Sequence, residues 1–432
     1  MKPIVVVLLD GLGDRAYPEL DGRSANEAAA TPQLDRFCAR GSNGLLWPLG
    51  PGRAPSSERA HWRMLGYQDN EFPGRAVFEA RGWRRDVDDD AVYALAALRP
   101  AVMRDGALWV TGRPTDEDGS VCDLLLGGVS RADVDGLLFT LRPLRRRGEA
   151  ILRIDGGASP AVSDTDPFFR DRDPVLRPRS RAAGGGRTAR AAEAWTRWVT
   201  KTLSEHSLNR TRSRKGLDPF CVITLKWWGQ SRPTWRFPER HGLQGALIGG
   251  SPFLGGLART VGLEPVELGE SDDPGADLNT RLGRARELLG EGATFVFSHQ
   301  KATDEAGHTK RPAAKVDAIE SIDSAVAHLT EPPFSDAVVC ITGDHATPAS
   351  PEVIHSGDPV PFSIVGPGVR ADDVDAFGES FQRGGILGHI RGEDVMPVLL
   401  NAADRPLFAG SRPGVDPHGA GHPLSPQPLA WD

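Results

Sequence analysis

Apolar residues along this chain gather in short unbroken runs rather than in strict alternation. Three stand out: Ile4 to Leu9 ("IVVVLL"), Thr294 to Phe297 ("TFVF") and Ala337 to Thr342 ("AVVCIT"). Such runs predict strands buried on both faces, as in a parallel sheet covered by helices. Between them, apolar positions recur every three or four residues in "DLNTRLGRARELLGEG" and "PAAKVDAIESIDSAVAHL", which predicts helices. "SANEAAATPQLDRFCARG" predicts a further helix, capped at Ser24 and stopped at Gly41. The fold class expected is therefore α/β, with a mostly parallel sheet between helices.

The middle of the chain follows another pattern. Residues 86–213 hold "LRPLRRRGEAILRI", a Pro-, Asp- and Arg-rich stretch from Asp164 to Arg181, and the flexible-looking "AAGGGR". This predicts a smaller α+β domain with a long loop, inserted into a discontinuous domain of residues 1–85 and 214–405. Residues 406–432, rich in Pro, Gly and His, predict a flexible tail, and His418 and His422 read there as solvated residues rather than ligands. No internal repeat is present.

Composition narrows the class. At 432 residues and 46.4 kDa the chain is long enough for two domains, and it is 39% hydrophobic and 25% charged. A formal net charge of -7 gives no general attraction to nucleic acid or to an anionic membrane. Cys38, Cys122, Cys221 and Cys340 are scattered without CxxC spacing, as reduced thiols of a cytoplasmic protein would be. The start "MKPIVVVLLDG" has a short apolar run that ends in Asp10 without a small-residue cleavage site, unlike a signal peptide. No run approaches the roughly 20 apolar residues that span a bilayer.

Each apolar run ends at a polar cluster: "DGLGD", "SHQKATDEAGH" and "GDHATP". Ligands of open α/β sheets gather at the carboxyl ends of strands, so these distant clusters are expected to converge. They offer Asp10, then Asp304 and His308 one helical turn apart, then Asp344 and His345, with His355 ten residues further on. Carboxylate and imidazole together suit Mn²⁺, Zn²⁺ or Fe²⁺, with Mg²⁺ at an oxygen-rich position. Two such ions about 3.5–4 Å apart are a known arrangement for phosphoryl transfer. "GRAPSSERAHWRMLGY" places two serines before a helical run. A serine hydroxyl needs activation, which a metal beside Asp10 would supply, and a helix start beneath it would offer N–H groups to a phosphate.

Longer stretches resemble the alkaline phosphatase superfamily, and within it the archaeal-type cofactor-independent phosphoglycerate mutases. The likeness runs through "DGLGDRAYPELDGRSANEAAATPQLDRFCARG", "PSSERAHWRMLGY", "GRAVFEARG", "KATDEAGH", "ITGDHATP", "HSGDPVPFSIVGPGVR" and "GGILGHIRGEDVMPVLL". The family's nucleophile stands in a Pro-Gly-Ser-Asp-x-Ala-His run, which puts Ser57 in that role, Ser56 at the glycine and Glu58 at the aspartate. The resemblance implies one metal group from Asp10, Ser57, Asp344 and His345. It implies a second from Asp304, His308 and His355, and a phosphate contact from Lys301.

The insert departs from the family. Where the family has Arg-Arg-Ala-Gly-Arg, this chain has "ALWVTGRPTDED", which leaves Arg113; a Gly-His-Arg-Ala run is replaced by "RGEAIL", with Gly148 and Glu149 at the His and Arg. "LKWWG" puts Lys226 at an arginine, and Gly255 stands at a lysine. Lys and Arg are not equivalent at a phosphate. The expectation is retained chemistry with a changed small phosphorylated substrate, other than 3-phosphoglycerate. Arg145 to Arg147 stand as candidate anion contacts or a solvated basic face, and Trp227, Trp228 and Trp235 as substrate-lining or core residues. A mutase or phosphotransferase working through phospho-Ser57 leads. A phosphatase, or a phosphonate-processing relative, is the alternative, and a non-catalytic binding homologue a lesser one. Oligomeric state is left open.

Overall fold

The computed structural model describes residues 2–167, 173–407 and 429–431. The chain divides into two compact units, Met1–Phe72 with Thr234–Asp432, and Pro73–Pro233. The second unit is wider than the expected 86–213 at both ends. The reason is pairing: the Phe220–Gln230 strand bonds along the Val92–Arg104 strand, and the Arg75–Gly82 helix packs against both.

The first unit is built on an eight-stranded sheet. Its order is Glu264–Glu267, Gly245–Gly249, Phe295–Gln300, Ile4–Leu9, Val338–Thr342, Val360–Val365, Ser42–Trp47 and Gly388–Arg391. Only Val360–Val365 runs against its neighbours; the remaining pairings are parallel. Ile4–Leu9 lies between Phe295–Gln300 and Val338–Thr342, with all six residues buried, as an unbroken apolar run requires. On one face Val5, Val7, Val339 and Ile341 pack with Leu282 and Leu288 of the Pro274–Gly290 helix and Ile319 and Ile322 of the Pro312–Val326 helix.

The runs expected at 4–9 and 337–342 appear as strands Ile4–Leu9 and Val338–Thr342. The run placed at 294–297 extends through Ser298, His299 and Gln300, polar residues that the apolar pattern could not include. The helix expected from Ser24 to Gly41 is two. Ser24 caps Ala25–Ala28 in a capping box with Glu27, and Pro32 starts a second helix to Cys38. The residue before proline is pushed out of helical geometry, which separates them.

The second unit is α+β. A six-stranded antiparallel sheet carries the helices Gly119–Gly128, Gly185–Ser204 and Ser207–Arg214. "AAGGGR", expected to be flexible, begins the 20-residue Gly185–Ser204 helix, with Gly184 in the left-handed region at its cap. The expected tail at 406–432, with His418 and His422, lies mostly outside the described residues. All four cysteines are buried and unpaired. Among the described residues no helix is long and apolar enough to cross a membrane.

Ile341, fully buried at the middle of the larger sheet, gives a test of this core. Ile341→Ala is expected to cost about 2–5 kcal/mol, read as a lower urea midpoint with an unchanged slope.

Candidate metal centre

The three polar clusters meet at the carboxyl ends of adjacent strands in the first unit. Asp10 follows Ile4–Leu9 directly, and its N–H donates to the Gln300 carbonyl at the end of the next strand. Asp344 and His345 follow Val338–Thr342 on the other side. Asp304 and His308 share the short Ala302–His308 helix, with His308 Nε2 3.3 Å from Asp304 Oδ1. His355 Nε2 is 3.6 Å from the same oxygen. His345 Nε2 is central, 3.2 Å from Asp10 Oδ1 and 3.3 Å from Asp344 Oδ2. Asp10, Asp344 and His345 each offer a ligand atom within 4.8 Å of the others, and so do Asp304, His345 and His355. The imidazole of His345 thus stands between the two groups, stacked on that of His355 with ring centres 3.8 Å apart.

The pair of serines resolves into two positions. Ser56 is the N-cap of the Ser57–Met64 helix, although its side chain makes no capping hydrogen bond. Ser57 is the first helical residue, and its Oγ lies 3.1 Å from His345 Nε2. The helix start brings partial positive charge to this point. Four residues on, His61 donates from Nδ1 to the Ser57 carbonyl at 2.5 Å, with the same nitrogen 3.6 Å from Asp344 Oδ2. Burial pushes the His61 imidazole down to about 3, so it is neutral at pH 7.

Charge is unevenly held. Burial raises the Asp10 carboxyl, but hydrogen bonds and charge from His299 and His345 outweigh it and leave it well below the usual range. Asp344 is pushed well above that range by burial and by the charge of Asp10. His299, whose Nε2 donates to Asp10 Oδ2 at 3.1 Å, and the fully buried Lys315 were not anticipated from sequence. Lys315 Nζ donates to the carbonyls of Gly11 (2.9 Å), Gly13 (2.8 Å) and Thr347 (3.1 Å), tying the Asp10 loop to the His345 loop. Gly11, at φ +64, leaves no room for a side chain: a Cβ there would lie 2.5 Å from Thr347 Oγ1. His61 had a signal in its helical spacing from Ser57, and His299 in its place at a strand end. Lys315 had none, because a lysine in an amphipathic helix reads as surface.

The substrate candidates are more dispersed. Lys301 caps the Ala302–His308 helix in this unit, and its Nζ holds Glu305 at 3.0 Å. Lys226 and Arg113 belong to the second unit. Burial pushes the Lys226 ammonium down, and its Nζ lies 4.3 Å from the centre of the Trp227 ring. Arg113 is exposed in the loop after the Ala107–Val110 strand. Arg145 and Arg147 sit in a turn with positive φ, and Arg147 pairs with Asp116 at 2.8 Å. Gly148 lies in the same turn and Glu149 opens the following strand. Trp228 is buried, while Trp235, in the first unit, is exposed.

A family profile described as "Metalloenzyme superfamily" matches residues 2–402. The chain belongs to this superfamily. It is 34% identical over 423 residues to the 2,3-bisphosphoglycerate-independent phosphoglycerate mutase 2 of Methanocaldococcus jannaschii, covering 95% of each chain. It is 34% identical over 416 residues to the 2,3-bisphosphoglycerate-independent phosphoglycerate mutase of Methanopyrus kandleri, covering 94% of this chain and 97% of that one. The structure of the cofactor-independent phosphoglycerate mutase from Thermoplasma acidophilum matches with a TM-score of 0.63 and 30% identity, over 93% of this chain and 100% of that one. A Pyrococcus horikoshii structure matches with a TM-score of 0.76 and 28% identity, over 95% and 99%.

Membership in a metalloenzyme superfamily implies divalent metal binding, and the donor set fits it. Asp10 Oδ1, Asp344 Oδ2 and His355 Nε2 are buried without a hydrogen-bond partner. Orphaned buried acceptors of this kind are costly unless a cation satisfies them. His355 Nδ1 donates to the Pro55 carbonyl at 3.2 Å, which leaves Nε2 with its lone pair as a ligand needs. A raised carboxyl binds its proton more tightly when folded, so the share of Asp344 in metal-free stability falls as pH rises above the ordinary carboxyl range. Asp344→Asn is therefore expected to raise the melting temperature of the chelator-treated protein at pH 7. Saturating Mn²⁺ is expected to raise the wild-type melting temperature by roughly 5–10 °C and that of the variant by much less, in thermal scans of both.

Proposed function

We propose that this chain transfers a phosphoryl group through Ser57, as a metal-dependent mutase or phosphotransferase of small phosphorylated metabolites. The observation that carries the reading is the position of Ser57 Oγ, at a helix start and 3.1 Å from the imidazole around which the carboxylates gather. Asp10, Ser57, Asp344 and His345 would hold one divalent ion, and Asp304, His308 and His355 a second, with Mn²⁺ or Zn²⁺ suited to the donors and Mg²⁺ or Fe²⁺ compatible with part of the set. When bound, such ions lower the pKa of a coordinated hydroxyl and neutralise charge on phosphoryl oxygens.

Ser57 Oγ, having lost its proton, forms a bond to phosphorus as the ester P–O bond breaks, and the departing oxygen takes up a proton. The acceptor hydroxyl then attacks phospho-Ser57, gives up its own proton and releases the serine. His61 is neutral and bonded to the Ser57 carbonyl, so it orients the helix start without competing for the phosphoryl group. N–H groups at that helix start face the phosphate, and Lys301 adds a cation. By the resemblance, Lys226 and Arg113 of the second unit are the candidate substrate-binding residues there. The names of the relatives make 3-phosphoglycerate the first ester to test. By the resemblance, Gly148 and Glu149 stand where His and Arg are expected, which favours a different small phosphorylated metabolite; the setting proposed is cytoplasmic, with neither nucleic acid nor membrane as partner. The same loss of anion contacts favours a second reading, a phosphatase in which water accepts the group.

Phosphorus NMR of the Mn²⁺-loaded protein with a panel of esters, 3-phosphoglycerate included, separates these. The expected outcome is a shifted ester resonance without free phosphate, whereas free phosphate from several esters would establish the phosphatase. Ser57→Ala is expected to lower turnover by roughly 10⁴-fold or more with Mn²⁺ binding largely kept. Ser56→Ala is expected to stay within about twofold, because the cap side chain makes no bond. Wild-type turnover in Ser57→Ala would sink the covalent route.

A further inference from the structure

Thr347 follows the Asp344–His345 pair and is fully buried. Its hydroxyl lies 2.7 Å from Asp304 Oδ1 and 3.0 Å from His345 Nδ1, so it touches a residue of each candidate metal group. The hydroxyl carries one proton, which decides the direction of both bonds. Asp304 Oδ1 is the acceptor of the shorter bond, at 2.7 Å from the Thr347 hydroxyl. A carboxylate only accepts, so the Thr347 proton goes to Asp304. The hydroxyl oxygen must then accept from His345 Nδ1–H. With the proton on Nδ1, the lone pair of His345 is on Nε2, the nitrogen that faces Asp10, Asp344 and Ser57.

The backbone of Thr347 is equally constrained. Its N–H donates to Gly13 O at 3.0 Å, its carbonyl accepts from Lys315 Nζ at 3.1 Å, and the absence of a side chain at Gly11 and Gly307 admits it. A Cβ at Gly307 would lie 2.3 Å from the Thr347 carbonyl oxygen. The backbone that carries the hydroxyl is therefore fixed by two hydrogen bonds and by close packing against Gly307, and the hydroxyl itself packs against Gly11.

We propose that Thr347 is a positioning residue for both metal groups: its single hydroxyl selects the metal-binding tautomer of His345 and aims the carboxylate of Asp304. This rests on the metal-binding part of the proposed function and extends it to a residue outside the ligand set. Outer partners of metal ligands fix their orientation and commonly change affinity by 10–100-fold when removed.

Thr347→Val keeps the shape and removes the bonds, and Thr347→Ser keeps the hydroxyl. Mn²⁺ titration of the chelator-treated proteins, followed by electron paramagnetic resonance, is expected to show both bound ions weakened by about 10–100-fold in T347V and restored to within about threefold in T347S. Nitrogen NMR of ¹⁵N-histidine-labelled protein without metal reads the tautomer directly. His345 is expected with its proton on Nδ1 in wild type and T347S, and with a population shifted to Nε2 in T347V. Unchanged Mn²⁺ affinity in T347V, weakening of one ion alone, or no recovery in T347S would overturn the proposal. A wild-type protein that binds no Mn²⁺ would instead overturn the proposed metal site, and the nitrogen spectrum would still decide the tautomer. If T347V does not fold, T347A, which also lacks the hydroxyl, takes its place in both measurements with the same expectations.

Discussion

Three carboxylates crowded at the ends of adjacent buried strands set the terms for the first unit. Asp10 and Asp344 stand close enough that one is held ionised while the other is forced toward its neutral form. Like charges in a low-dielectric site repel strongly, so the arrangement is tolerable only with polar partners or cations close by. The fold supplies them in layers. His299 bonds Asp10, His345 stands 3.2 Å from it, and His308 and His355 face Asp304. Lys315 lies behind, fastened to three carbonyls and 3.8 Å from Asp14. Glycines at 11 and 307 let the loops approach closely enough for these contacts. A cation between the carboxylates completes the same electrostatic logic.

Much of this was legible along the chain because unbroken apolar runs end where chemistry begins. Ile4–Leu9 and Val338–Thr342 are visible as runs, and the residues just beyond them are Asp10 and Asp344. His308, one turn after Asp304, is legible from helical spacing. The polar end of the Phe295–Gln300 strand was not, since Ser298, His299 and Gln300 are buried by the site rather than by apolar character. Lys315 and Thr347 were invisible for the same physical reason. Their importance lies in which carbonyls and side chains they reach, and several of those contacts, to Gly11 and Gly13, join positions hundreds of residues apart.

The insert was less readable. Its limits were misjudged because the Phe220–Gln230 strand pairs with a strand more than a hundred residues earlier, and pairing partners leave no local mark. Three glycines suggested a flexible linker but form the start of a 20-residue helix, since one glycine in the left-handed region serves as a cap.

The first unit is assembled from two separated pieces of chain, and this imposes an order on its birth. Ile4–Leu9 leaves the ribosome early, yet both strands that flank it, Phe295–Gln300 and Val338–Thr342, are made near the other end. At synthesis rates of about 5–20 residues per second, that apolar strand waits roughly 15–60 s for its first neighbour. The second unit, Pro73–Pro233, is contiguous and completes its own sheet within that interval. An unpaired run of six aliphatic residues is meanwhile an adhesive edge, open to other chains and to chaperones. The architecture that gathers distant acids and imidazoles onto one sheet therefore leaves its most hydrophobic strand long unpaired, and makes late closure of the sheet the step at which the nascent protein is most vulnerable.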